Sequence, residues 1–351
     1  MKYTYLLIAF ICISCQQNTD QSSACEKYDV YFDNSAYDDV FTGGVKMIDI
    51  TTDKGDFKVW TKRIGNHPTI KVLLLHGGPG FTHEIYECFE GYFPQEGIQF
   101  YYYDQLGSYR SDQPDDKSLW DLPRFVEEVE QVRQALGLNK DNFYLFGQSW
   151  GGLLSMEYAL KYQENLKGLI IANMMASIPE YQIYSDSVLA PQLDPEVLEE
   201  IMLYENKEDY GNPRYLELIV NNYYTKHILR IPVDEWPEPI NRSFKHLNPD
   251  VYVTMQGPSE FGVKGDATLK YWDVKDRLKE ITVPSLVIGA EYDTMDPKHM
   301  EWIANEVQNG HYHHCPEGSH LCQFDDQESF FEGLIGFLRD VDSGGYASGS
   351  E

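Results

Sequence analysis

A serine, a set of carboxylates and a histidine follow one another in this sequence in an order that suits nucleophilic chemistry. Ser149 stands in Gly147-Gln148-Ser149-Trp150-Gly151-Gly152, a G-x-S-x-G arrangement. That spacing marks a sharp turn from a strand into a helix, with the hydroxyl pushed clear of a sheet. Glycines on either side leave room for a strained nucleophile backbone. The helix that begins there aims its first N–H groups at the same spot, which suits a developing negative charge. A serine hydroxyl needs a base to take its proton, and the base needs an acid to hold its tautomer. Downstream, the apolar run 286–288 leads into Glu291, Asp293 and Asp296, and His320 follows Gly318 and Ser319. A carboxylate just past the C-terminal end of a strand lies where α/β sheets place their sites. Asp293 is the preferred acid, with Asp296 and Glu291 as competitors.

The surrounding pattern supplies the elements to position these groups. Residues 143–146 are an apolar run too short for a helix, which predicts a buried strand, and helical periodicity starts after Gly152. Alternation over 43–60 predicts a hairpin turning at Thr52-Asp53-Lys54-Gly55. Residues 70–75 predict a buried strand that runs into His76-Gly77-Gly78-Pro79-Gly80, a loop through which backbone N–H groups can approach a reacting oxygen. Further strands are expected at 98–103, 166–173 and 283–290. Helices are expected from Leu122 to Leu136, with Asp121 as cap and Gly137 as stop, and from 327 to 341. Strand and helix alternating in this way predict a largely parallel, doubly wound α/β sheet. The beat is lost over 175–279, where helices at 195–204 and 215–229 predict an inserted, mainly helical cap. The core is then 41–174 with 280–341, and 342–351 is expected to be a disordered tail.

The chain has 351 residues and a net charge of -28, which argues against nucleic acid and anionic membrane surfaces as partners. After Lys2, residues 5–13 form an apolar run of signal-peptide length, too short to span a bilayer. Ser14 before Cys15 resembles a lipoprotein cleavage box. This predicts a signal segment over 1–14, export to the periplasm or cell surface, a lipid on Cys15 as the sole membrane contact, and a tether over 15–40; ordinary secretion is the alternative. Cys25, Cys88, Cys315 and Cys322 make an even number in such a compartment, either as disulfides (Cys315 with Cys322 being one to check) or as free buried thiols. His311, His313 and His314 beside Cys315 superficially suggest a metal. Along a strand, however, they would point to opposite faces. No metal or organic cofactor is expected.

Taken together, His76-Gly77-Gly78-Pro79-Gly80, Asp104-Gln105-Leu106-Gly107-Ser108, Gly147-Gln148-Ser149-Trp150-Gly151-Gly152, Glu291-Tyr292-Asp293 and Gly318-Ser319-His320 resemble the prolyl aminopeptidase (proline iminopeptidase) branch of the α/β-hydrolases, similar to the tricorn-interacting aminopeptidases. The resemblance extends from about residue 43 to 341. It implies an α/β-hydrolase fold with Ser149, Asp293 and His320 as the triad, and the Gly78 and Trp150 amides as the oxyanion hole. It also implies that Glu260, in Met255-Gln256-Gly257-Pro258-Ser259-Glu260-Phe261, binds the substrate amine. Relatives commonly carry a second amine-binding glutamate after the triad aspartate, where this chain has Thr294. That departure implies a weaker clamp, or one completed by another acid of the cap. The expected activity is that of an exported serine aminopeptidase releasing N-terminal residues, proline included, from short peptides. An esterase, amidase or lactonase on the same scaffold is the alternative, and a non-catalytic binding lipoprotein is the reading from outside enzymes.

Overall fold

The computed structural model describes residues 28–39 and 42–346. The expected signal segment, Cys15 and Cys25 lie outside these residues. Eight strands form one sheet: β1 Val45–Thr52, β2 Gly55–Ile64, β3 Lys71–Leu75, β4 Gln99–Asp104, β5 Phe143–Gln148, β6 Gly168–Ala172, β7 Ser285–Ala290 and β8 Gly310–Cys315. Their order is β1-β2-β4-β3-β5-β6-β7-β8. The β1–β2 hairpin and the β2–β4 pair are antiparallel, and every other pairing is parallel. After β3 the chain steps outward to β4 and then returns to place β5 on the other side of β3. The C-terminal ends of β3 and β5 therefore flank a switch point, where open α/β sheets place ligands.

The central strands read as unbroken apolar runs because both faces are covered. Leu73 and Leu75 pack with α1 (Leu122–Ala135) and α2 (Trp150–Tyr162), through Phe125, Val129, Val132, Leu153 and Leu154. Val72 and Leu74, one residue out of phase, join Phe146, Ile170 and the last helix of the chain.

Between β6 and β7 lies the cap, with α3 Ile178–Tyr184, α4 Pro195–Glu205, α5 Pro213–Ile219, α6 Glu238–His246 and α7 Pro249–Met255. Each starts with a proline at its first or second position, where the missing N–H costs nothing. Asp194 accepts from the Glu196 N–H as the cap of α4. The helix expected over 215–229 is interrupted: α5 widens into a π-helical stretch, Val220–Tyr224, followed by a turn, Thr225–His227. The two ends of the insertion are zipped together. Val274 N–H donates to Ala176 O, Ile178 N–H to Trp272 O, and Ser177 Oγ to Asp273 Oδ2. Farther out, Arg242 of α6 reaches Glu84 and Glu87 of the core at 2.6 Å each. His246 Nδ1 sits 2.8 Å from Glu84 Oε2.

Beyond the cap, α8 (Pro297–Glu306) precedes β8, and α9 (Gln327–Ser343) closes the fold, burying Phe330, Phe331, Leu334 and Leu338. Two sequence-based boundaries need correction. Residues 28–39, expected to be tether, pack on the sheet: Tyr31 is buried and donates to Ile98 O, and Asp39 pairs with buried Arg63 at 2.7 Å. The tail expected from 342 begins inside α9, and Tyr346 donates to Asn309 O at 2.7 Å. In both places a tyrosine hydroxyl reaches a backbone carbonyl of the core, a pairing that a composition argument cannot see. Among the described residues no helix is long and apolar enough to cross a membrane.

Candidate active site

Ser149 occupies the turn between β5 and α2 with φ 56° and ψ -126°, a positive-φ conformation outside the left-handed helical region and rare for a residue with a side chain. The flanking glycines have a measurable cause. A Cβ on Gly147 would lie 2.0 Å from Gly151 O, and one on Gly151 would lie 2.0 Å from Leu75 O. The turn thus presses β5, β3 and α2 together and leaves Ser149 to adopt the strained backbone. Trp150 is the first residue of α2, so its N–H has no acceptor within the helix. Gly77 packs against the serine, where an added Cβ would be 3.1 Å from Ser149 Cβ, and Gly78 has φ +112°. The loop after β3 therefore crosses directly over the hydroxyl.

The sequence motifs lock to one another. His76 Nδ1 donates to Gly77 O at 2.9 Å, and its Nε2 accepts from the Gln105 N–H at 3.1 Å. Gln105 Oε1 accepts from the Trp150 indole at 2.8 Å. His76, Gln105 and Trp150 thereby hold the glycine loop and the serine turn in register.

Asp293 and His320 come from the ends of β7 and β8. His320 Nδ1 donates to Asp293 Oδ1 at 2.7 Å, which leaves Nε2 as the nitrogen able to take a proton. Asp293 is wholly buried, and its second oxygen accepts from Asn173 Nδ2 at 2.7 Å. Burial, the largest influence on His320, disfavours its charged form. Asp293, Glu260 and Asp325 together outweigh it, so its pKa stands above the ordinary value of 6.5. The competitors are elsewhere: Asp296 caps α8, and Glu291 is exposed 3.5 Å from His314.

Ser149 and His320 line a cavity of about 810 Å³ whose roof is the cap, with Leu216, Ile219, Tyr224, Phe244 and Tyr252 among its walls. Glu260 lines it too. Tyr252 donates to Glu260 Oε1 at 2.6 Å, Tyr181 to its carbonyl at 2.6 Å, and its N–H donates to Tyr224 Oη at 3.0 Å. Burial raises the Glu260 pKa above that of an ordinary glutamate, opposed by His320 and Tyr252 and aided by Asp293. Such a carboxylate gains from a cation beside it. Thr294 does not line this cavity. It is buried behind the Asp293–His320 pair, with Oγ1 3.2 Å from both Asp293 Oδ1 and His320 Nδ1. The other acids along the cavity wall are Glu208 and Asp266, both of the cap.

His313 and His314 face opposite sides of β8, one bonded to Ser329 O and the other near Tyr312. Among the described residues no cluster able to hold a metal is present. Cys88, Cys315 and Cys322 are free thiols, and Cys322 Sγ donates to Asn173 Oδ1. Sequence reasoning passed over Asn173, Gln148, whose side chain donates to His320 O, and Tyr181, Tyr224 and Tyr252. Asn173, at the C-terminal end of a predicted strand, offered a positional signal. The tyrosines offered only abundance.

A serine turn, an aspartate–histidine pair and a glycine loop at the C-terminal edge of a mostly parallel sheet define a class, and residues 71–327 match the family described as the alpha/beta hydrolase fold. The protein is an α/β hydrolase. It is 61% identical over 297 residues to a proline iminopeptidase of Elizabethkingia meningoseptica, covering 85% of this chain and 99% of the relative. It is 59% identical to a proline iminopeptidase of Flavobacterium johnsoniae, covering 84% and 98%. The crystal structure of a Mycobacterium smegmatis proline iminopeptidase superposes with a TM-score of 0.75 at 28% identity, covering 86% of this chain and 99% of that one. The chain belongs to the proline iminopeptidase family.

Proposed function

We propose that the protein is a serine aminopeptidase that releases an N-terminal residue, proline included, from short peptides. Ser149 attacks the scissile carbonyl while His320 Nε2 takes its proton, and Asp293 stabilises the imidazolium. The Gly78 and Trp150 amides hold the oxyanion. His320 returns the proton to the departing amine, and water then cleaves the acyl-enzyme by the same steps in reverse roles. The free α-ammonium of the substrate binds Glu260, close to the acylated residue.

The observation that carries this reading is Glu260. A desolvated carboxylate held by Tyr252 faces the same cavity as Ser149, close enough to His320 for each to feel the other's charge. A substrate without a free amine offers no cation to such a group. Hydrolysis of Pro-β-naphthylamide and Ala-β-naphthylamide beside their N-acetylated forms tests it. Cleavage of the free amines alone is expected; equal cleavage of acetylated forms, or of simple esters only, would replace this reading with an esterase or amidase. Export with a lipid on Cys15 belongs to the same proposal, supported by the apolar run 5–13 and Ser14-Cys15. Incorporation of labelled palmitate that is lost in Cys15→Ser is the expected result, and an unlabelled wild-type protein would rule the anchor out.

A further inference from the structure

We infer that His227, a residue of the cap, is a positioning residue that sets the acid loop and the base loop in register. This rests on the reading of Ser149, His320 and Asp293 as the triad. The imidazole of His227 donates from Nδ1 to Tyr292 O at 2.9 Å, directly before Asp293. Its backbone carbonyl accepts the His320 N–H at 3.0 Å. The next carbonyl, that of Ile228, accepts the Leu321 N–H at 2.9 Å and the Ser319 hydroxyl at 3.0 Å. One cap strip thus grips residues 319–321 by their backbone, and the ring at its head grips the loop that carries Asp293.

Arg230 adds an outer tie. Its guanidinium lies 3.4 Å over the Tyr292 ring and donates to Glu317 O at 2.9 Å, and its backbone N–H reaches Asp325 at 3.1 Å. Asp325 in turn accepts the Ser319 N–H at 3.0 Å. A histidine that merely filled space would be an odd choice at this place. The residue is 4% exposed, and its Nε2 is buried with no hydrogen-bond partner. Leaving such a group unsatisfied costs stability, so the reason for a histidine here lies in the bond that its other nitrogen makes to Tyr292 O. What the imidazole supplies is a neutral donor of the right reach, and burial holds its pKa below the ordinary value.

The charged and titratable groups facing His320 are Asp293, Glu260 and Asp325; those facing His227 are Asp293, Lys226, Arg230 and Tyr223. Loosening Asp293 against His320 weakens the influence that raises the base's pKa, so the acid limb of the rate profile moves to lower pH. The experiment compares wild type, Ser149→Ala, His227→Leu, His227→Asn and Arg230→Met on Pro-β-naphthylamide and p-nitrophenyl acetate. In His227→Leu, kcat is expected to fall about tenfold to a hundredfold, because a misplacement of about 1 Å has that effect. KM should stay within about twofold. The acid limb should move down, and Asn, with an amide donor in place of Nδ1, should restore most of both. Arg230→Met, a change at the surface, should move both readouts the same way by less. A folded His227→Leu with wild-type kcat and acid limb would overturn the inference, as would an Asn variant that restores neither. If His227→Leu does not fold, wild-type behaviour of Arg230→Met together with a disabled His227→Asn overturns it. Retention of activity by Ser149→Ala would instead sink the triad reading itself.

Discussion

The two halves of the cavity are built on different principles. The floor, at the ends of β3 and β5, is set by backbone crowding: Gly147 and Gly151 allow atoms to approach to distances that no side chain would permit. The roof, in the cap, is set by long side chains in hydrogen-bonded relay, with Tyr181, Tyr224 and Tyr252 around Glu260. A floor of this kind is rigid and tolerates no added atom. A roof of this kind is adjustable one hydroxyl at a time. In the proposed mechanism the chemistry thus sits on the part least able to vary, and recognition on the part that varies most readily.

Substitutions on the two sides should therefore fail differently. The largest effect is expected for Ser149→Ala, which should lower kcat about 10⁴-fold or more on amide and ester substrates alike, with the fold intact. Next, Gly151→Ala should cost roughly 3 kcal/mol or more of stability, since its Cβ would meet Leu75 O. A lowered urea midpoint with activity lost in proportion to the folded fraction is the expected signature, and a wild-type midpoint would mean that the floor yields more than its geometry allows. Glu260→Gln should reduce kcat/KM for free-amine substrates about 10- to 100-fold, the scale of a charge-assisted contact, while p-nitrophenyl acetate turnover stays near wild type. Losses equal for both substrates would erase the distinction between floor and roof. Tyr252→Phe should show the same selectivity at about fivefold, by removing one 2.6 Å bond to the carboxylate.

The pH dependence sharpens the contrast further. His320 must be neutral to act as a base, and its pKa is raised above 6.5, so kcat/KM for any substrate should fall with an acid limb above that value. Glu260 must be ionised to hold an ammonium, and its pKa is raised above 4.5. KM for free-amine substrates should therefore climb as pH falls through that raised value, while KM for the ester stays level.

The same contrast explains what could be read from the sequence. Ser149, Asp293 and His320 sit in motifs or just beyond predicted strands, because backbone geometry demands particular residues at fixed spacing. Seven of the eight strands are legible, β1 and β2 from alternation and β3 to β7 from apolar runs, whereas β8 is not expected as a strand because Gly310–Cys315 is rich in histidine and only its last residue is buried. Asn173 and Gln148 were passed over because a side chain that orients another leaves no spacing rule behind. Tyr252 lies eight residues before its partner Glu260, and Tyr181 lies 79 before it, so only the folded cap brings them together. Thr294 is legible only as a departure from relatives, and no spacing rule reveals that its hydroxyl points back to the aspartate–histidine pair.

The zipper at Ser177 and Asp273 bears on how this scaffold changes over evolutionary time. The insertion leaves and rejoins the sheet between two neighbouring parallel strands, and its ends are stitched to each other. A segment anchored in this manner can be lengthened, trimmed or exchanged for another without shifting the strands beneath it. Transplanting a cap cut at that seam onto a related sheet should carry substrate choice with it and leave the chemistry behind. The ties from residues 227–230 are what such a graft must reproduce.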